Sequence, residues 1–137
     1  MEPQTNSQIS ISILFVEDDE LILDLQASVL MDKFPDVVFY TAVNGRLGLE
    51  LFKEHEQDIV ITDINMSVMC GVQMSSNIRA IKPDTKFIAI TGKSEKLIQH
   101  TNNDNKFEFD HIIVKPVDLS ELFVVVEQCI SEIKQQV

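Results

Sequence analysis

Short, continuously apolar runs alternate along this chain with segments of helical periodicity, and this limits the folds open to it. The apolar runs are Ile11 to Val16 (ISILFV), Val37 to Thr41 (VVFYT), Ile59 to Ile61, Lys86 to Thr91 (KFIAIT) and Ile112 to Val114. Each is strand-length, rich in β-branched and aromatic residues, and lacks the in-out alternation of a half-exposed strand. Between them lie residues at helical spacing: Leu21, Ile22, Leu25, Val29 and Leu30; Leu47, Leu51 and Phe52 after Asn44-Gly45; and Met74, Ile78 and Ile81 after Gly71. Leu97 and Ile98 mark a weaker helix from Ser94 to about Asn103. Leu122, Val126, Ile130 and Ile133 form the last stripe, with Asp118 placed as its N-cap and Glu121 three residues on. Phe34-Pro35-Asp36 and Lys82-Pro83-Asp84 are breaks. Strands apolar on both faces are covered on both faces, so the order of elements predicts an α/β fold of five βα units, a doubly wound five-stranded parallel sheet.

The 137 residues suit one domain, here 11–134, preceded by a polar lead-in over 1–10 that is expected to be flexible and solvated. That lead-in, MEPQTNSQIS, has neither the basic start nor the apolar middle of a secretory signal. No run approaches the roughly 20 apolar residues of a membrane span. The net charge of −11 argues against direct nucleic-acid binding, which depends on Lys and Arg meeting phosphates. Cys70 and Cys129 stand far apart and in no metal spacing, which predicts reduced thiols and a cytoplasmic setting. His55, His100 and His111 share no metal-ligand spacing.

The chemistry lies in where the acids fall. In a doubly wound sheet, ligands bind beyond the carboxyl ends of the strands. Glu17 and Asp18 directly follow the first strand, Asp63 ends the third, Thr91 the fourth, and Lys115 the fifth. Carboxylates gathered on one rim repel by about 4 kcal/mol at 4 Å and an effective dielectric near 20, so either a proton or a cation must join them. Oxygen ligands without His or Cys favour a hard ion, and Mg²⁺ suits a site with few protein ligands. Lys115 adds a positive charge and Thr91 a hydroxyl donor, a set able to stabilise a phosphoryl group in transfer to a carboxylate nucleophile.

On the segments LFVEDDE, DIVITDINM, FIAITG and IIVKPVD, the chain resembles the response-regulator receiver family from about Ile11 to Ile133. The resemblance implies a flavodoxin-like fold with strand order 2-1-3-4-5. It places the phosphoacceptor on Asp63, the switch hydroxyl on Thr91 and the family lysine on Lys115, with Lys115-Pro116 cis. It implies Mg²⁺ held by Asp18 and Asp63, by the backbone carbonyl of Asn65, and by Glu17 mainly through water. The implied donor is a sensor histidine kinase or phosphotransfer protein, and a downstream output domain or protein is a possible receiver of the signal. Membrane association and catalysis on an external substrate are not implied.

Three positions depart from the family pattern. Ser67 stands where Pro is usual and Cys70 where Asp is usual. Ile112 occupies the position that commonly carries Tyr or Phe three residues before the lysine, which predicts a muted response to phosphorylation. The polar segment from Ser94 to Asp110 lacks the usual Ala-Gly pair and predicts an irregular fourth helix and a mobile loop. Lys93, two residues after Thr91, is a candidate shield for the phosphoryl group. The competing function is a receiver-like interaction module that is not phosphorylated. An aspartyl phosphatase would need a cap and an acid at the position of Asn65, and a flavin protein would need a Ser-, Thr- and Gly-rich loop where four acids stand.

Overall fold

The computed structural model describes residues 10–92 and 107–136. Its elements are β1 (Ser12–Val16), α1 (Glu20–Lys33), β2 (Val38–Ala42), α2 (Gly45–His55), β3 (Ile59–Asp63), α3 (Gly71–Ile81), β4 (Lys86–Thr91), β5 (His111–Val114) and α4 (Leu119–Gln135). The five strands form one parallel sheet in the order β2-β1-β3-β4-β5, as expected. Residues 1–9 of the lead-in, Lys93 and the weak helix expected from Ser94 lie outside the described residues.

Because neighbouring side chains on a strand point to opposite faces, β1 to β4 each feed two cores. Ile13, Phe15, Ile59, Ile61, Ile88, Ile90 and Ile113 pack with Leu23, Ala27 and Leu30 of α1 and Leu122, Val126 and Cys129 of α4. Leu14, Val16, Val60 and Phe87 pack on the other face with Phe52 of α2 and Met74 and Ile78 of α3. Burying a large apolar side chain contributes roughly 1.5–3 kcal/mol, which makes these two layers the main source of stability.

Local signals set the helix ends. Asp19, Asn44 and Asp118 cap α1, α2 and α4, their carboxylate or amide oxygens accepting from the N–H groups of Ile22, Leu47 and Ser120. The helical faces differ from the apolar stripes in places. In α1 the core takes Leu23, Ala27 and Leu30, whereas Leu21 and Leu25 are 69% and 60% exposed. Once Asp19 fixes the start of the helix, Leu21 and Leu25 point away from the sheet. Ile81 is also exposed, at the last turn of α3, and Ser75 is buried in that helix with Met74 and Ile78.

Two tethers at the amino end of the sheet were not apparent in the sequence. Asp58 accepts from the Ser12 N–H at 2.9 Å and from Lys82 Nζ at 3.1 Å, tying β1 to the end of α3. The Arg79 guanidinium lies 4.7 Å from the Phe87 ring centroid and 4.2 Å from that of Phe107, and donates to the Glu108 carbonyl at 3.0 Å. Phe107 and Phe109 meet edge-to-face at 4.8 Å. This clasp fastens the approach to β5 onto α3 and β4. Arg79→Ala should lower stability by about 1–2 kcal/mol, the sum of a cation–π contact and a hydrogen bond; urea denaturation followed by circular dichroism checks this, and an unchanged midpoint would show the clasp to be energetically idle.

Candidate functional site

β3 carries Asp63 to the centre of the carboxyl rim. The strand is flanked by β1 and β4 and is buried along its whole length, Asp63 included. A carboxylate taken out of water needs a charge partner or hydrogen bonds. Lys115, just beyond β5, supplies the charge: its Nζ lies 3.0 Å from Asp63 Oδ2. The Lys115 N–H donates to the Thr91 carbonyl at 2.8 Å, which fixes the backbone from which that side chain reaches. Lys115-Pro116 is cis.

Glu17 and Asp18 leave β1 beside Asp63. One carboxylate oxygen from each of Glu17, Asp18 and Asp63 can be chosen so that all three lie within 4.8 Å of one another. Glu17 is buried and Asp18 exposed, so the cluster runs from the interior to the surface. Glu17 Oε2 accepts from the Asp19 N–H at 3.0 Å, and the Glu17 N–H donates to the Ala42 carbonyl at 3.1 Å. Burial pushes the Glu17 carboxyl up to about 7, with the Asp63 charge adding to the rise; the Asp19 N–H and Lys115 work against it.

Thr91 ends β4, fully buried, next to β3, and its hydroxyl donates to the Gly92 carbonyl at 3.1 Å. Asn65 is exposed in the loop from Ile64 to Cys70 that follows Asp63. The residues expected at the rim thus stand at four adjoining strand ends and in one loop. Ile112 is half-buried on β5, paired with Ala89. Cys129, by contrast, is a core residue whose thiol is pushed up to about 12 by burial, which leaves it unreactive. Sequence reasoning missed Asp19 as both cap and partner of Glu17; its place directly before a helical stripe was the available signal.

The site is thus an acidic rim on a five-stranded parallel sheet, with a central aspartate paired to a lysine just beyond β5, across the end of β4. The family model for the response regulator receiver domain matches residues 13–127, and the chain belongs to that family. Among curated proteins, the uncharacterized transcriptional regulatory protein YesN of Bacillus subtilis is 27% identical over 90% of this chain and 33% of its own length. The sensor kinase CckA of Brucella abortus is 29% identical over 96% of this chain and 14% of its own length. The chain therefore spans a third or less of these relatives. Among solved structures, the response regulator TrrA of Thermotoga maritima in complex with Mg²⁺-BeF is 28% identical, covers 87% of this chain and 98% of its own, and has a TM-score of 0.74. A two-component transcriptional regulator from Clostridium phytofermentans reaches a TM-score of 0.80 at 24% identity over 93% of this chain and 97% of its own, a likeness of fold. Among the described residues no helix is long and apolar enough to cross a membrane.

The Glu17 shift has a direct consequence for stability. Its folded value of about 7 exceeds the ordinary 4.5, so between those values the folded state holds a proton that the unfolded state has released. Its contribution to the stability of the metal-free protein is fully present below pH 4.5 and is lost as pH rises through 7. Urea midpoints measured in EDTA at pH 5 and pH 8 should fall more for wild type than for Glu17→Gln, and equal falls would show that Glu17 does not titrate in this window.

Proposed function

We propose that this receiver domain accepts a phosphoryl group on Asp63 in a Mg²⁺-dependent reaction, from a sensor histidine kinase or phosphotransfer protein, and signals by conformational change. The observation that carries this reading is the buried Asp63 carboxylate, held 3.0 Å from Lys115 and clustered with Glu17 and Asp18. The donor set is oxygen-only and partly buried, which fits Mg²⁺: Asp18 and Asp63 would hold it through their carboxylates, the Asn65 carbonyl would complete the protein ligands, and Glu17 would act through water. When bound, that ion would neutralise carboxylate repulsion and draw phosphoryl oxygens to the rim.

In the transfer, a bond forms between an Asp63 carboxylate oxygen and phosphorus as the bond from phosphorus to the donor imidazole nitrogen breaks, and the electron pair stays on that nitrogen. Lys115 remains beside the acceptor and balances the charge spread over the phosphoryl oxygens. The Thr91 hydroxyl, now donating to Gly92, would turn toward those oxygens, and this exchange of acceptors is the structural change available to signal from. Leu21 and Leu25, exposed on α1 shortly after Asp18, offer a partner an apolar surface close to the site. Signalling to an output domain or protein accords with relatives that are transcriptional regulators and sensor kinases by name.

Acetyl phosphate with Mg²⁺ should add one base-labile phosphoryl group, seen by intact mass, and Asp63→Asn should abolish it because an amide is not a comparable nucleophile. Full labelling of Asp63→Asn would exclude Asp63 as acceptor; no labelling of wild type would favour the non-phosphorylated interaction module. Asp18→Asn should weaken Mg²⁺ binding by roughly ten-fold or more as a charged ligand is lost, read from NMR shifts during titration; unchanged affinity would place the ion elsewhere. Thr91→Ala should still be labelled yet lose the accompanying amide shifts in β5, and with Ile112 in place of an aromatic those shifts should be small in wild type too.

A further inference from the structure

We propose that Gly45, at the start of α2, is a positioning residue for the rim: the absence of a side chain there sets the loop from Ile64 to Cys70, and through it the placement of the Asn65 carbonyl. The proposal rests on the Mg²⁺-dependent reading of the site.

The loop leaves Asp63 and must return at once into α3, and four restraints hold it. The Ile64 N–H donates to the Ile90 carbonyl at 3.1 Å, and the Gly71 N–H donates back to the Ile64 carbonyl at 2.8 Å, closing the two ends on each other. At that closure a Cβ on Gly71 would overlap the Asp63 carbonyl oxygen and lie 3.0 Å from Ile64 Cα. Met66 is buried, and Met69 packs against the same apolar layer. The fourth restraint comes from outside the loop and its flanking elements. A Cβ on Gly45 would overlap the Met69 carbonyl oxygen and lie 2.9 Å from Met69 Cβ and 3.0 Å from its carbonyl carbon. The obstruction is mostly backbone, so adding a methyl group there requires the loop or the helix to move.

This contact matters more here because the loop has few intrinsic restraints. Ser67 leaves φ free where a proline would fix it. Cys70 occupies the N-cap position of α3 without a side-chain hydrogen bond to the helix. A loop lacking both is shaped by what it rests on, and it rests on α2. Gly48, one turn further along α2, differs. A Cβ there would meet Met74 Sδ at 2.8 Å and Val16 Cγ2 at 3.0 Å, both side-chain atoms of the apolar layer rather than loop backbone. The two glycines thus separate loop placement from core packing within one helix.

The test compares the full chain carrying Gly45→Ala or Gly48→Ala with wild type, using Mg²⁺ alone as the probe in NMR titrations and acetyl phosphate for labelling. Gly45→Ala should weaken Mg²⁺ binding by about ten-fold, the lower end of what losing a supporting contact costs a metal site. Its labelling should need correspondingly more Mg²⁺ to reach half its maximal rate. Gly48→Ala should shift the urea midpoint while leaving Mg²⁺ affinity unchanged. Met69→Gly, which frees the loop without adding an atom to α2, should reproduce the Mg²⁺ defect and covers the case in which Gly45→Ala does not fold. Unchanged Mg²⁺ affinity in folded Gly45→Ala or in Met69→Gly would overturn the positioning role, as would an equal loss of affinity in Gly48→Ala. A wild type with no saturable Mg²⁺ response would overturn the site reading itself, and the positioning role with it.

Discussion

The structure depends on one arrangement: a carboxylate carried into the dry end of a strand covered on both faces and paired there with an ammonium group 3.0 Å away. β3 lies between β1 and β4 and is flanked above and below by helices, so Asp63 has little access to water. Such a group is costly to bury alone, and removing the partner of a buried charge is usually more damaging than the pair itself is stabilising. Lys115 reaches Asp63 across the end of β4, which separates their strands, from a backbone held by its hydrogen bond to Thr91 at the end of that strand. The parallel order that places five strand ends on one rim is therefore also what brings acid, base and hydroxyl together.

The rim carries excess negative charge. Glu17 responds by holding its proton up to about pH 7, and Asp18 by remaining in solvent. A cation entering the cluster would compete with that proton. The same three groups form an oxygen-only cluster of the kind that suits a hard divalent ion, and Glu17 carries the proton that such an ion would have to displace. Around them the fold holds backbone in place: the Asp19 N–H on Glu17, the paired ends of the Ile64–Cys70 loop, and the bare Cα of Gly45 beside Met69.

Much of this was legible in the residues. The five apolar runs became the five strands, with ends displaced by at most two residues because a strand ends where its neighbour's hydrogen bonds end. The helix start at Asn44-Gly45 and the cap at Asp118 were legible because such signals act within one turn. The face of α1 was less so: apolar periodicity marked Leu21 and Leu25, and the sheet selected Leu23 and Ala27. A helix carrying apolar residues nearly all round does not declare which side is inward. The Arg79 clasp and the Asp58 tether were hidden because their hydrogen bonds join residues between 24 and 46 positions apart whose types, taken singly, are ordinary surface chemistry.

Consecutive residues specify the alternation of elements, the acids at the ends of β1 and β3, and the hydroxyl and lysine that end or follow β4 and β5. These are local matters of periodicity and capping, written in consecutive residues. Tertiary structure alone decided that Glu17 is buried and Asp18 is not, that Lys115 meets Asp63 across an intervening strand, and that a glycine in α2 lies against the loop after β3. Burial and close approach depend on which surfaces meet when the sheet closes on its helices, and no residue carries that information until its distant neighbours are in place.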